Sequence, residues 1–189
     1  RVSQYGTRYF KIDVNGRDID IRFDGSDFVN RFKAECHTKC WWSNKGDSIN
    51  STLTASLDFT KKKESSLHFD LWHDIEEGWD YGYLSVSLDE GNTWETLNSP
   101  GTTSANPVGS NYGNGYSGRS GWASHVVRLD DYAGKKILIR FQYVTDAAVH
   151  LDGMLIRAAR LSENSEPSSS EHLKWVSSGF VLVDDSLEQ

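Results

Sequence analysis

The sequence predicts an all-β fold, an antiparallel β-sandwich of the jelly-roll kind. Three observations carry that expectation. Apolar residues recur with a period of two, turn signals separate the runs, and no stretch bears a helical stripe. Short alternating strands bury one face each, so two sheets must pack together to hide them.

The strands follow in order. Residues 19–23 form a first strand, closed by Asp24-Gly25, and residues 53–57 form another after the turn Asn44-Lys45-Gly46-Asp47. At 67–72, Leu67, Phe69 and Leu71 alternate with His68, Asp70 and Trp72. At 81–88, Leu84, Val86 and Leu88 alternate with Ser85 and Ser87. Strands at 93–97 and 124–129 follow, separated by a long Gly/Ser/Asn loop from 98 to 121. After Ala133-Gly134, Ile137, Ile139, Phe141 and Tyr143 make the clearest stripe. A strand at 154–161 ends in a polar break at 162–171 that contains Pro167.

The tip between the 81–88 and 93–97 strands reads Ser87-Leu88-Asp89-Glu90-Gly91-Asn92-Thr93-Trp94. This S-x-D-x-G-x-T-W pattern resembles the Asp-box hairpin best known from sialidase propellers. Asp89 is placed to accept backbone N–H groups, Gly91 to take positive φ, and Trp94 to cover the hairpin base. A propeller would repeat the unit blade after blade, and the chain has one copy. Asp89 is therefore a turn-former rather than a catalytic group.

Composition narrows the function. A chain of 189 residues is long enough for one domain with a sizeable core. Its net charge of −7 argues against nucleic acid, which demands clustered positive charge. No apolar run reaches membrane-span length, and no signal peptide is evident. A first residue Arg1 instead of Met reads as a mature product or an excised fragment. Cys36 and Cys40 lack the second ligand pair that zinc needs. They form a short-loop disulfide in a secreted chain, or stay as two thiols in a reducing one; the disulfide is the expectation.

Neighbouring antiparallel strands alternate in direction, and counting directions gathers several loops at one end. Asp47, Asp74, Glu76, Glu77, Asp80, Asp146 and Asp152 collect there, with Trp41, Trp79, Tyr112, Tyr116 and Trp122. The stretch WWSNKGDSIN at 41–50 is assigned to the same end as a loop.

The ordered segments QYGTRYFKI, WWSNKGDSINSTLTASLDFT, HFDLWHDIEEGWDYGYLSVSLDEGNTWETL and GNGYSGRSGWASHVVRLDDYAGKKILIRFQYVTDAAVHLDGMLI, with the tail WVSSGFVLVDDSLEQ, carry a family resemblance. Together they resemble the region downstream of the catalytic domain in immune inhibitor A-type bacterial metallopeptidases, including its MAM-like β-sandwich. The resemblance covers nearly the whole chain. It implies an extracellular, non-catalytic accessory module beside neighbouring domains of a secreted zinc peptidase, with bound calcium. It also divides the chain into a flanking strand segment at 1–23, the MAM-like sandwich at 24–161, and a linker with a partial flanking β-segment at 162–189. Two features depart from the family pattern. Arg157 and Ala158 stand where a pair of aspartates is usual, and the pair Cys36/Cys40 is not a family feature.

Catalysis on the chain itself finds no support in the residues. H-E-x-x-H is absent from the six histidines, and His68 and His73 point to opposite faces of a strand. GYSGRSG at 115–121 imitates a nucleophile elbow without its strand-to-helix context. Two binding expectations remain. Glu76, Asp80, Asp146 and Asp152 are placed to converge on a structural calcium ion, with Asp47 as a fifth donor. Like charges gathered there repel unless a cation neutralises them. The alternative function is glycan binding, for which Trp79, Tyr112, Tyr116 and Trp122 supply aromatic platforms. A protein or cell-surface contact is the other partner class that the accessory role implies.

Overall fold

The structure is a computed structural model that describes Gly16 and residues 31–61, 64–163 and 166–184, with only the backbone for 163–172. Two compact units divide the chain, Arg1–Lys33 and Ala34–Gln189. The strand expected at 19–23 lies outside the described residues. The described strands lie in the second unit.

Its strands are β1 (Lys39–Trp42), β2 (Asn50–Asp58), β3 (Ser66–Asp74), β4 (Tyr81–Ser87), β5 (Glu95–Thr96), β6 (Gly115–Tyr116), β7 (Arg119–Arg128), β8 (Lys136–Val144), β9 (Gly153–Glu163), β10 (Glu166–His172), β11 (Trp175–Ser178) and β12 (Val181–Asp184). The helical content among the described residues is one 3-10 turn at Asp130–Tyr132. One sheet runs β12-β1-β9-β3-β7 with β10 on β9; the other runs β11-β2-β8-β4-β5 with β6 on β4. The paired strands are antiparallel, so the predicted all-β sandwich is the fold.

Register explains why the stripes meet. Leu53, Ala55 and Leu57 of β2 lie opposite Phe141, Ile139 and Ile137 of β8. On its other side β8 pairs Phe141 with Leu84 and Ile139 with Val86 of β4. Leu67, Phe69 and Leu71 of β3 supply the facing layer, and all of these are buried. Each such aliphatic or aromatic side chain contributes roughly 1.5–3 kcal/mol through burial. A period-two stripe can bury itself only in one register, because a slip of one residue would expose the whole set.

Four expectations change. Leu88 is exposed, because β4 stops at Ser87 and the turn around Asp89 takes over the backbone. β4 itself is buried on both faces. Its second face is covered by the 98–114 loop, whose Tyr112 stacks on Tyr83 at 5.4 Å between ring centroids. Trp41, assigned to a loop, instead belongs to β1 and packs against the core. The tail beyond 162, read as linker and flanking segment, places β11 beside β2 and β12 beside β1.

That tail crosses from one sheet to the other at Gly179, where φ is +92°. A Cβ there would sit 2.5 Å from Ser51 Oγ and 3.0 Å from Ser51 Cα, so only glycine allows the crossing. Phe180 is then buried next to it. In β9 the core-facing parity changes once: Met154 and Ile156 belong to the core cluster, and so does Leu161, of opposite parity, while Leu155 is buried outside that cluster. Ala158, at φ 53°, lies within the register shift between β3 and β9 that absorbs the extra residue. Cys36 and Cys40 are joined in a disulfide, the first of the two readings above.

Candidate functional site

The registers bring the loops 43–49, 75–80 and 145–152 to one end of the sandwich. Asn50 and Tyr81 both lie opposite Val144, and Asp74 lies opposite Gly153. Each loop there is fixed by its own hydrogen bonds. Asp80 N donates to Glu76 O at 3.1 Å, and Gly78 N donates to Ser117 Oγ at 2.9 Å. Thr145 Oγ1 donates to Gly46 O at 2.7 Å, and Ser48 N donates to Asp146 O. The tight 75–80 loop turns the Asp80 side chain inward. There its Oδ1 accepts the backbone N–H of Asp146 at 2.9 Å.

The result is a compact acidic group. Glu76, Asp80 and Asp146 each bring a carboxylate oxygen within 4.8 Å of the others. Asp80 is 0% exposed, and its Oδ2 has no hydrogen-bond partner among the described residues. Burial, reinforced by the neighbouring Asp146 and Glu76 charges, lifts the Asp80 carboxyl to about 6, against the opposing effect of the Asp146 N–H. The Tyr143 hydroxyl is also buried without a partner, and burial together with Asp80, Asp74, Glu76 and Asp152 pushes its ionisation upward. Three carboxylates, one of them with an orphaned oxygen, fit the hard-oxygen preference of calcium.

The fourth expected donor goes elsewhere. Asp152 binds Lys45 Nζ at 2.8 Å, while its backbone carbonyl accepts Trp42 Nε1 at 2.8 Å. Asp47 Oδ1 lies 2.6 Å from His150 Nδ1. Asp74 is held by Arg119 Nε at 2.6 Å. A basic side chain beside each of these carboxylates engages it, and sequence spacing contains no sign of such pairing. Tyr143 was legible as a core residue but not as a polar group facing the acids.

The aromatic set separates in the same way. Trp79 is 48% exposed and Tyr112 66% exposed. Their loops are joined, because Ser110 Oγ donates to Trp79 O at 3.0 Å and Tyr112 N donates to Tyr83 Oη at 3.0 Å. Tyr116 does not join them. It is 0% exposed, packed between the sheets against His73 and edge-on to His125, so it is a core residue and not a platform. Trp122 lies on β7 beneath the Arg157 guanidinium, 4.1 Å from the ring centroid, and its Nε1 donates to Glu35 O. Arg157 also binds Asp70 and donates to Cys36 O at 2.8 Å. The departure at 157 thus anchors the disulfide segment to the sheet.

Other polar groups are absorbed by structure. His73 Nδ1 meets Gly118 O at 3.0 Å, and burial depresses the basicity of that ring. His125 and Ser99 approach to 3.4 Å, yet both are buried, which leaves no route for a substrate to such a pair. In the hairpin Asp89 accepts Thr93 N at 2.9 Å, Thr93 Oγ1 at 2.6 Å and Ser87 Oγ at 2.8 Å. Glu90 and Gly91 both take positive φ. The motif residues act on one another, as a turn requires.

Sequence comparison sets this architecture in a family. Residues 12–181 match the family described as Immune inhibitor A-like, MAM domain. Immune inhibitor A of Bacillus thuringiensis subsp. alesti is 26% identical over 161 residues, 85% of this chain and 21% of that protein. The pre-pro-metalloprotease PrtV of Vibrio cholerae serotype O1 is 24% identical over 139 residues, 73% of this chain and 14% of PrtV. Bacillopeptidase F of Bacillus subtilis (strain 168) is 27% identical over 100 residues, 52% of this chain and 6% of that protein. The chain therefore spans about a fifth or less of these much longer relatives. With the match extending across both sheets of the sandwich, the chain belongs to the immune inhibitor A-like MAM domain family.

Proposed function

We propose that the chain serves as a non-catalytic accessory module of a secreted peptidase, holding the catalytic unit in position toward bulky substrate or cell-surface material. The observation that carries this reading is the family match over residues 12–181, together with relatives far longer than the chain, of which one is named a metalloprotease and another a bacillopeptidase. The disulfide supports an extracellular setting, since such bonds persist under oxidising conditions. No helix among the described residues is long and apolar enough to cross a membrane. His68, His73, His125 and His150 each meet a structural partner, in keeping with a scaffold.

The test is deletion of this segment from the parent protein. Turnover of a short peptide substrate should persist, while turnover of a folded protein substrate or capture on cells should fall. Equal loss of both, with the catalytic unit still folded, rejects the positioning role. The isolated chain should leave casein and sialosides uncleaved. Turnover that survives rigorous purification and vanishes on Glu76→Gln would make it an enzyme.

A second reading rests on Trp79 and Tyr112, two exposed rings on joined loops. Rings of this kind stack on sugar faces. Glycan-array binding lost in Trp79→Ala or Tyr112→Ala would favour it, and a blank array would remove it.

A further inference from the structure

We propose that the outer face of the β11-β2-β8-β4-β5 sheet binds an acidic sugar chain, with Arg140 as the group that recognises its carboxylate. Arg119, Arg128 and Arg157 each lie against an aspartate. Arg140, on the middle strand of its sheet, does not. Among the described residues its guanidinium meets the Trp94 ring, 3.8 Å from the centroid, and Gln142 Oε1, which accepts from Nη2 at 2.9 Å. Its Nε–H is buried without a partner, and burial lowers the basicity of the group with no carboxylate to offset it. A cation half-withdrawn from water and left without a counter-charge costs the fold free energy, and an anionic ligand removes that penalty.

The side chain is held ready. Stacking on Trp94 occupies a face of the guanidinium and leaves its edges, where the N–H donors lie. Trp94 is itself fixed, because its Nε1 donates to Gly91 O at 3.0 Å in the Asp89 turn. Gln142 is fixed from the far side, where its Nε2 donates to Asn50 Oδ1 at 2.8 Å. The hairpin turn thus positions Trp94 and, through it, Arg140. One N–H of the guanidinium is spent on Gln142, and others remain for a carboxylate.

Register shows what surrounds it. Val176, Thr54, Arg140, Ser85 and Thr96 form one row across the five strands. Two residues further along β8, Gln142 lies opposite Tyr83, on which the exposed Tyr112 ring stacks. The face therefore combines an aromatic platform, hydroxyl and amide groups, and a fixed guanidinium. A sugar acid presents the matching set: a ring face to stack, hydroxyls to hydrogen-bond and a planar carboxylate to pair. One arginine in a row of neutral residues, on a chain of net charge −7, suits isolated carboxylates such as those of uronic or sialic acids rather than a densely charged polymer. The inference rests on the sugar-binding reading above for its platform, Tyr112, and not for its charge.

Calorimetric titration of the 189-residue chain with two ligand pairs tests it: trigalacturonate against its methyl ester, and sialyllactose against lactose. In one pair the acid should bind about tenfold more tightly than its neutral counterpart, and which pair does so separates uronic from sialic acid. Arg140→Gln should erase that preference, and Arg140→Lys should recover only part of it, since an ammonium lacks the planar fork. The ligand comparison needs no variant, so it decides the matter even if Arg140→Gln folds poorly. Equal binding of acid and neutral sugar, a preference that survives Arg140→Gln, or no binding of any of the four overturns the site. Neutral sugars held through Trp79 and Tyr112 alone would leave the platform reading standing and remove this one. Acid-selective binding that survives Trp79→Ala and Tyr112→Ala would do the reverse. A glutamate peptide that competes as well as the sugar acid would overturn the assignment to sugar.

Discussion

Two aspartates bracket β4, and they have opposite fates. Asp80 stands just before the strand, fully buried, with one oxygen unmatched and its carboxyl lifted to about 6, chiefly by burial. Asp89 stands just after it. There Thr93 and Ser87 supply donors and hold the carboxyl at about 2, with the Thr93 hydroxyl the largest influence. One carboxylate is satisfied by seven residues of local sequence; the other is left incomplete by a fold that brings distant loops together. The difference separates a turn from a candidate site more sharply than residue type does. An acid whose partners are all local is doing structural work, whereas a buried acid lacking a partner requires a ligand or a proton.

The contrast extends to the aromatic residues near the acidic end, where the largest effect is expected. Tyr116 and Tyr112 both come from the 98–121 stretch, but one is sealed between the sheets and the other lies open. Tyr116→Ala should cost about 3–5 kcal/mol, the range for removing a large buried ring. Tyr112→Ala should cost less, about 0.5–1.5 kcal/mol, because an exposed ring loses only its stacking on Tyr83. Denaturant melts of the two variants measure this directly. Similar costs would mean that burial does not distinguish core from platform at this end.

A smaller effect, with a change of sign, follows for the two aspartates. In chelator, Asp80→Asn should raise the melting temperature. The amide removes a buried charge beside Asp146 and Glu76 while its oxygen can still accept the Asp146 N–H. Asp89→Asn should lower it by a few degrees, since the amide cannot accept from both Thr93 groups and Ser87 as the carboxylate does. Scanning calorimetry of both variants in the same buffer tests the pair. Two shifts of the same sign would dissolve the distinction between them.

Much of the architecture was legible because it rests on local pattern. The stripes Leu67/Phe69/Leu71 and Ile137/Ile139/Phe141/Tyr143 gave strand, inward face and mutual layer, since alternation is a backbone property. The Asp89 turn was legible for the same reason. Direction counting placed Glu76, Asp80 and Asp146 at one end, and those three converge. It could not foresee that Lys45 would claim Asp152, because that pairing depends on where a side chain from the 43–49 loop comes to rest. Nor could it tell that Tyr116 turns inward while Tyr112 turns outward, since a Gly-rich loop has no periodicity to read. Trp41 was missed as a strand residue because β1 is only four residues long and its partner β12 lies at the far end of the chain. Long-range pairing of short strands leaves almost no trace in local sequence.

The smallest expected effect isolates Asp89 by pH. Its folded-state carboxyl sits at about 2, below the ordinary 3.8, so its ionised form stabilises the folded chain. For a depressed acid that contribution is complete above 3.8 and is lost as pH falls through about 2. The difference in melting temperature between the parent chain and Asp89→Asn should therefore be constant above about pH 5 and shrink steadily between about pH 4 and pH 2. Taking a difference is essential. The buried rings of His73 and His125, both depressed by burial, give every variant an acid-side loss of stability that begins near the usual histidine value. Because that loss is common to both proteins it cancels, and what remains belongs to the hairpin. A difference that survives undiminished at pH 2 would show that the Asp89 turn is held by shape and neutral hydrogen bonds, and that its charge contributes nothing.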